Sequence, residues 1–199
     1  MPSVSRYKKA MAALFVLLFV SPVLPAGELE IGSQAPDLIG TNALDGSRVS
    51  LYRIMTEMKF QRDIRGQLVI ENGRYRKEFK KYAVVINFFA KSCIPCLREI
   101  PAFNEIAERY RFKPVKFLYI NVDPHLTATQ LRKLAKDYRI RIPILMVNQK
   151  EVFRKYNARI LPRLVMVDRA RRVHTVFTGF DRDFKQKLTA ALKSLLGIR

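Results

Sequence analysis

The chain has 199 residues, with 37 Lys and Arg against 17 Asp and Glu, a formal net charge of +20, 2 cysteines and no tryptophan. That length suits one domain with a real core, and two cysteines are far too few for a disulfide-stapled scaffold. The basic residues are scattered, with neither an arginine-rich tail nor zinc-finger spacing, so nucleic acid is not the expected partner; a solvated basic surface, an anionic lipid surface or an acidic partner fits better.

The chain begins with "MPSVSRYKK", which carries Arg6, Lys8 and Lys9 and no acid, followed by the apolar run Ala10 to Val20 and the stretch "SPVLPA" ending at Ala26. The run is shorter than the roughly 20 apolar residues of a membrane span. Residues 1–26 therefore read as a secretory signal, leaving 27–199 as the folded domain, in an extracytoplasmic, periplasmic setting. Leu24 stands where a small residue is preferred for cleavage, and a retained anchor extending through Ala26 is the alternative.

From Ile31 to Leu51 the pattern is a hairpin turning at Asp45-Gly46. Leu51, Ile54, Met55 and Met58 fall at helical spacing, which predicts a short helix there. "QLVIENGRYRKEF" predicts a second hairpin around Asn72-Gly73. "YAVVINFFA" is an unbroken apolar, β-branched and aromatic run, the mark of a strand buried on both faces. A helix is expected from Cys93 to Tyr110, with Pro101 as a kink, then a second buried strand over "VKFLYINV". Leu126 to Tyr138 reads as a helix, "IPILMV" as a short extended segment and Glu151 to Tyr156 as a short helix. "PRLVMVD" and "RVHTVFTGF" are two strands joined by a charged turn, and Asp183 to Leu196 closes as an amphipathic helix. Strands alternating with helices imply a central sheet covered by helices.

The two cysteines lie in "SCIPCLRE", at the first turn of the helix that follows the buried strand. Proline is tolerated in a first turn. The free N–H groups and the positive end of the helix dipole favour a thiolate at Cys93, and Lys91 adds positive charge. The i, i+3 spacing places both sulfurs on one side, close enough to bond. A loop closed over two residues gains little as a staple. Structural zinc needs four ligands, and beyond this pair the chain offers only His125 and His174, far apart in sequence; His174, in an alternating strand, reads as a surface or edge residue. Thiol–disulfide exchange remains, with Cys93 as attacker and Cys96 as resolver.

At these residues the chain resembles the thioredoxin-like fold and, within it, the TlpA/ResA-like group of exported thiol–disulfide oxidoreductases, which are related to the AhpC/TSA redoxins. "VVINFFAKSCIPCLREIPAFNEIAERY" is similar to that group's strand, active-site motif and helix, "GSQAPDLIGTNALDGSRVSL" to its N-terminal hairpin, and "YNARILPRLVMVD" to the segment that carries the cis-proline. The resemblance implies an α/β three-layer sandwich, a central mixed sheet flanked by helices, with an N-terminal hairpin extension. It implies that Cys93 and Cys96 are a redox-active disulfide and that Pro162 is the cis-proline aligning a bound substrate backbone. Glu99 matches the glutamate of the group's CxxCxxE pattern, with a role in proton handling; a solvated helix acid is its plain alternative. Asn87 falls where thioredoxins proper carry a buried acid. No cofactor and no metal are expected. The implied partners are disulfide-containing exported proteins, apocytochrome c among them, and a membrane thiol–disulfide electron donor.

Three departures stand out. Ser92 replaces the usual tryptophan, Arg163 follows Pro162 where threonine is usual, and 53–81 reads as an insertion with nine basic residues against four acids, either a docking surface or decoration. Two other functions fit these residues less well. A redoxin-type thiol peroxidase needs a threonine shortly before the reactive cysteine, and Lys91-Ser92 do not supply it. A copper-delivering metallochaperone uses a longer spacer between its cysteines and a distal histidine.

Overall fold

The computed structural model describes residues 29–198; the segment 1–26, expected as a signal or anchor, lies outside them. The first hairpin pairs β1 (Ile39–Asn42) with β2 (Arg48–Ser50), and Gly46 takes the φ of +78° that its turn requires. Gly40 is glycine for a different reason. A Cβ there would lie 2.5 Å from Val147 Cγ1 and 2.6 Å from the Met146 carbonyl oxygen, so the hairpin can approach the main sheet only without a side chain.

Ser50 caps α1 (Leu51–Ile54), accepting from the Arg53 amide. The helix ends before Met58, which was expected on it. Thr56, Met58 and Phe60 alternate with Glu57 and Lys59, and that period of two prevails as β3 (Thr56–Phe60). The expected second hairpin is present as β4 (Ile70–Glu71) and β5 (Arg74–Tyr75), with Asn72 and Gly73 both at positive φ. Next comes β6 (Lys77–Lys81), which pairs antiparallel with β3. These four strands form two two-stranded sheets, β3–β6 and β4–β5, separate from the main sheet and joined end to end by backbone hydrogen bonds among Gln61, Val69 and Arg76, so that together they make a ribbon.

The ribbon leads into β7 (Ala83–Phe89), every residue of which is buried. Then follow α2 (Ile94–Arg109), β8 (Val115–Asn121), α3 (Ala128–Asp137), β9 (Ile144–Met146), α4 (Gln149–Tyr156), β10 (Arg163–Val167), β11 (Val173–Thr178) and α5 (Phe184–Leu196). A capping box of Thr127 and Gln130 starts α3, and Gly197 in the left-handed region ends α5. The seven-stranded sheet runs β11-β10-β7-β8-β9-β1-β2. Strands β7, β8 and β9 are parallel and the remaining pairs antiparallel.

Alternation along β7 builds two cores. Val85 and Phe89 face a cluster with Ile100, Phe103 and Ile106 of α2, Leu131 of α3 and Leu188 of α5. Val84, Ile86 and Phe88 face another with Leu51 of α1 and Val152 and Tyr156 of α4. Each large apolar side chain buried this way contributes about 1.5–3 kcal/mol. Two helical layers on one mixed sheet form the expected three-layer sandwich.

Candidate active site

The burial of β7 fixes where the cysteines emerge. Beyond Phe89 the chain turns through Ala90 to Ser92, and the Cys93 amide donates to the Ala90 carbonyl at 3.1 Å. Cys93 is the N-cap of α2; its sulfur accepts from the Cys96 amide at 3.2 Å. The amide that would otherwise be unsatisfied thus points at the sulfur, where it stabilises negative charge. Cys93 and Cys96 are joined at 2.03 Å, with their Cα atoms 5.2 Å apart. The two differ in access: Cys96 is 2% exposed, whereas Cys93 is half-buried. Only Cys93 offers a partner a sulfur to reach.

The Leu161–Pro162 bond is cis, in keeping with the residue expected there. Arg163 of β10 lies opposite Phe88 of β7, so Pro162 is level with Phe89, at the same end of the strand as the cysteine turn. Arg163 is itself buried and donates from Nη1 to Thr178 Oγ1 at 2.7 Å, so its charge is held within the sheet.

Glu99 sits one turn beyond Cys96 on the inward side of α2 and is 5% exposed, which rules out a solvated helix acid. Together with Pro162, Thr178, Phe180, Asp181 and Lys187 it lines a cavity of about 80 Å³. Its Oε1 has no hydrogen-bond partner among the described residues. Desolvation dominates and pushes the carboxyl up to about 7; the Asp181 amide pulls it down somewhat, and the Asp181 carboxylate pushes it up. Asp181 is held below its ordinary value by its ion pair with Lys187 and by the Asp183 amide. Glu99 therefore exchanges a proton near neutrality, whereas its neighbour stays ionised.

Asn87 is also buried, on the same face of β7 as Val85 and Phe89, and its Oδ1 has no partner among the described residues. His125 is exposed, and His174 is half-buried on β11 at the sheet edge. Among the described residues no group of three or more His, Cys, Asp and Glu side chains could hold a metal ion.

Sequence reasoning missed Phe180, Asp181 and Lys187. Phe180 and Asp181 belong to the turn "TGFDRDFK", which only Gly179, at φ +83°, marked as a special turn, and Lys187 lies in the first turn of α5 that follows. It also missed two exposed apolar residues, Ile94 beside Cys93 and Ile160 just before the cis bond, which add to the exposed Phe180 on the cavity. A rim of this kind can hold an extended, unfolded polypeptide against the sulfurs.

Residues 65–176 match the model of the AhpC/TSA family. The chain is 24% identical over 168 residues to the thiol-disulfide oxidoreductase ResA of Bacillus thuringiensis subsp. konkukian, covering 84% of this chain and 80% of that protein. It is 31% identical over 103 residues to ResA of Geobacillus kaustophilus, covering 51% and 58%. In structure it is similar to a thiol:disulfide interchange protein of the thioredoxin family from Chlorobium tepidum, with a TM-score of 0.57, 22% identity, and coverage of 83% of this chain and 99% of that one. The fold, the bonded cysteine pair and these likenesses agree: the chain belongs to the AhpC/TSA family, as a thioredoxin-like thiol–disulfide oxidoreductase.

Proposed function

We propose that the chain works outside the cytoplasm as a reductant of disulfides in exported proteins, and that apocytochrome c awaiting haem attachment is its principal substrate. The observation that carries this reading is the asymmetry of the site: a reachable Cys93, a buried Cys96, and a buried carboxyl one turn further that titrates near 7. In the reduced enzyme the Cys93 thiolate attacks one sulfur of a substrate disulfide and expels the other as a thiolate, giving a mixed disulfide. Cys96 loses its proton and attacks Cys93 Sγ, which expels the second substrate thiolate. The enzyme ends oxidised and the substrate reduced by two electrons. Glu99, one helical turn beyond Cys96, takes the Cys96 proton and returns it to the departing thiolate. A membrane thiol–disulfide donor then reduces the pair again.

Support for the setting comes from the basic, apolar start of the chain and from the ResA likeness. Among the described residues no helix is long and apolar enough to cross a membrane. The test is genetic. Cells lacking this protein should lose covalently attached haem in c-type cytochromes, and wild-type protein or an added small thiol should restore it, whereas Cys93→Ser should not. Unchanged c-type cytochrome in the deletion strain would remove the apocytochrome assignment.

A further inference from the structure

The ribbon that precedes β7 is an amphipathic sheet with its charges sorted by face. Residues directly opposite in an antiparallel pair share a face. The register Met58↔Phe79 and Phe60↔Lys77 therefore puts Met58, Phe60, Lys77 and Phe79 on one face, with Thr56 and Lys81 at its inner end. The register Glu57↔Lys80 and Lys59↔Glu78 puts both acids of these strands on the other face. There Glu57 is neutralised locally, 3.4 Å from Lys59 and accepting from the Tyr82 hydroxyl at 2.6 Å, and Glu78 stands directly opposite Lys59 in the register.

The first face has no such partners. Met58, Phe60 and Phe79 are 45%, 44% and 61% exposed, and Tyr75 continues the patch, its ring 5.8 Å from that of Phe60. Neither Lys77 nor Lys81 forms an ion pair among the described residues. Exposed aromatic and thioether side chains bracketed by lysines, with no acid among them, leave apolar area in water at a cost. That combination matches the interfacial zone of an anionic bilayer, where rings enter the headgroup layer and lysines meet the phosphates.

We propose that this face of the β3–β6 ribbon docks the protein on anionic phospholipid. A second copy of the chain fits less well, because face-to-face contact would bring like-charged lysines together with no acid to offset them. The docking also orients the enzyme. The ribbon is rooted at the N-terminal end of β7 and the cysteines follow its C-terminal end, roughly 20 Å away along a seven-residue strand. Lipid holds one end, and the redox pair stays open to partners at the other.

The absence of tryptophan allows a local test in the full chain that any membrane affinity of its first residues does not confuse. Phe79→Trp puts a single fluorophore on the docking face, Phe60→Trp repeats the measurement, and Phe180→Trp reports the redox end. With phosphatidylglycerol-containing vesicles, emission from the first two should shift to the blue and be quenched by brominated lipid, while emission from Phe180→Trp stays unshifted. Lys77→Gln with Lys81→Gln, added to Phe79→Trp, should raise the lipid concentration needed roughly thirty-fold, about five-fold per lysine. No shift on the ribbon, an equal shift with neutral phosphatidylcholine vesicles, or a lipid-independent shift that grows with protein concentration would each overturn the proposal, the last in favour of a second copy.

Discussion

The two ends of β7 solve opposite problems with the same residue types. At the C-terminal end Phe89, Phe103 and Ile100 are wholly buried, and a carboxyl and an amide are buried with them, each with an oxygen that has no partner among the described residues. At the N-terminal end Phe60 and Phe79 are largely exposed, and the acids there lie on the opposite face, Glu57 paired with Lys59 and Glu78 in solvent. The contrast separates two uses of energy. Stability and chemistry are concentrated around α2, where a misplaced polar group costs most. The ribbon contributes little to the fold and presents a surface.

The sharpest break between the ends is catalytic. Cys93→Ser should abolish disulfide reduction, and Cys96→Ser should trap mixed disulfides that stay intact on non-reducing gels; changes on the ribbon should leave turnover of a small soluble disulfide untouched. Adducts on Cys96 in the Cys93→Ser protein would reverse the roles.

Stability gives the next contrast, with one residue type in both places. Phe103→Ala should cost about 3–5 kcal/mol, whereas Phe79→Ala should stay within about 0.5 kcal/mol. Urea unfolding of both variants decides it, and comparable losses would mean that the ribbon is part of the core.

Glu99 adds a pH signature that belongs to the redox end alone. Its carboxyl titrates near 4.5 when unfolded and about 7 when folded. Between those values the folded protein holds a proton that the unfolded chain has released. Stability contributed by this residue is therefore lost as pH rises through that window. Glu99→Gln should be more stable than wild type at pH 8 by on the order of 2–3 kcal/mol, and nearly equal to it at pH 4. A pH-independent difference would place Glu99 in solvent.

The smallest effect is on the thiols. A carboxylate one helical turn from Cys96 disfavours thiolate formation, so Glu99→Gln should shift the pH dependence of alkylation of the reduced protein to lower pH. Superimposable curves would leave Glu99 with no influence on the pair.

Much of the redox end was legible in the sequence, because its signals are local or nearly so. The unbroken run of β7, the proline in the first turn of α2 and the spacing from Cys96 to Glu99 each carry their own physical meaning. What a sequence does not carry is which turn covers α2: Phe180 and Asp181 reach Glu99 only through tertiary packing, and so its burial and raised pKa were not visible. The ribbon was half-read. Asn72-Gly73 announced the β4–β5 hairpin, but Met58 fits a helical stripe with Leu51 as well as an alternating strand with Phe60. Only pairing with β6, a partner some twenty residues on, decided between them.

The reduction potential of the Cys93–Cys96 pair tests the central claim most directly. Equilibration against glutathione buffers, read by thiol labelling, should place it near thioredoxin's roughly −270 mV, low enough for the reduced pair to donate electrons. A value near the roughly −120 mV of a strong oxidant would mean that the protein forms disulfides rather than removing them.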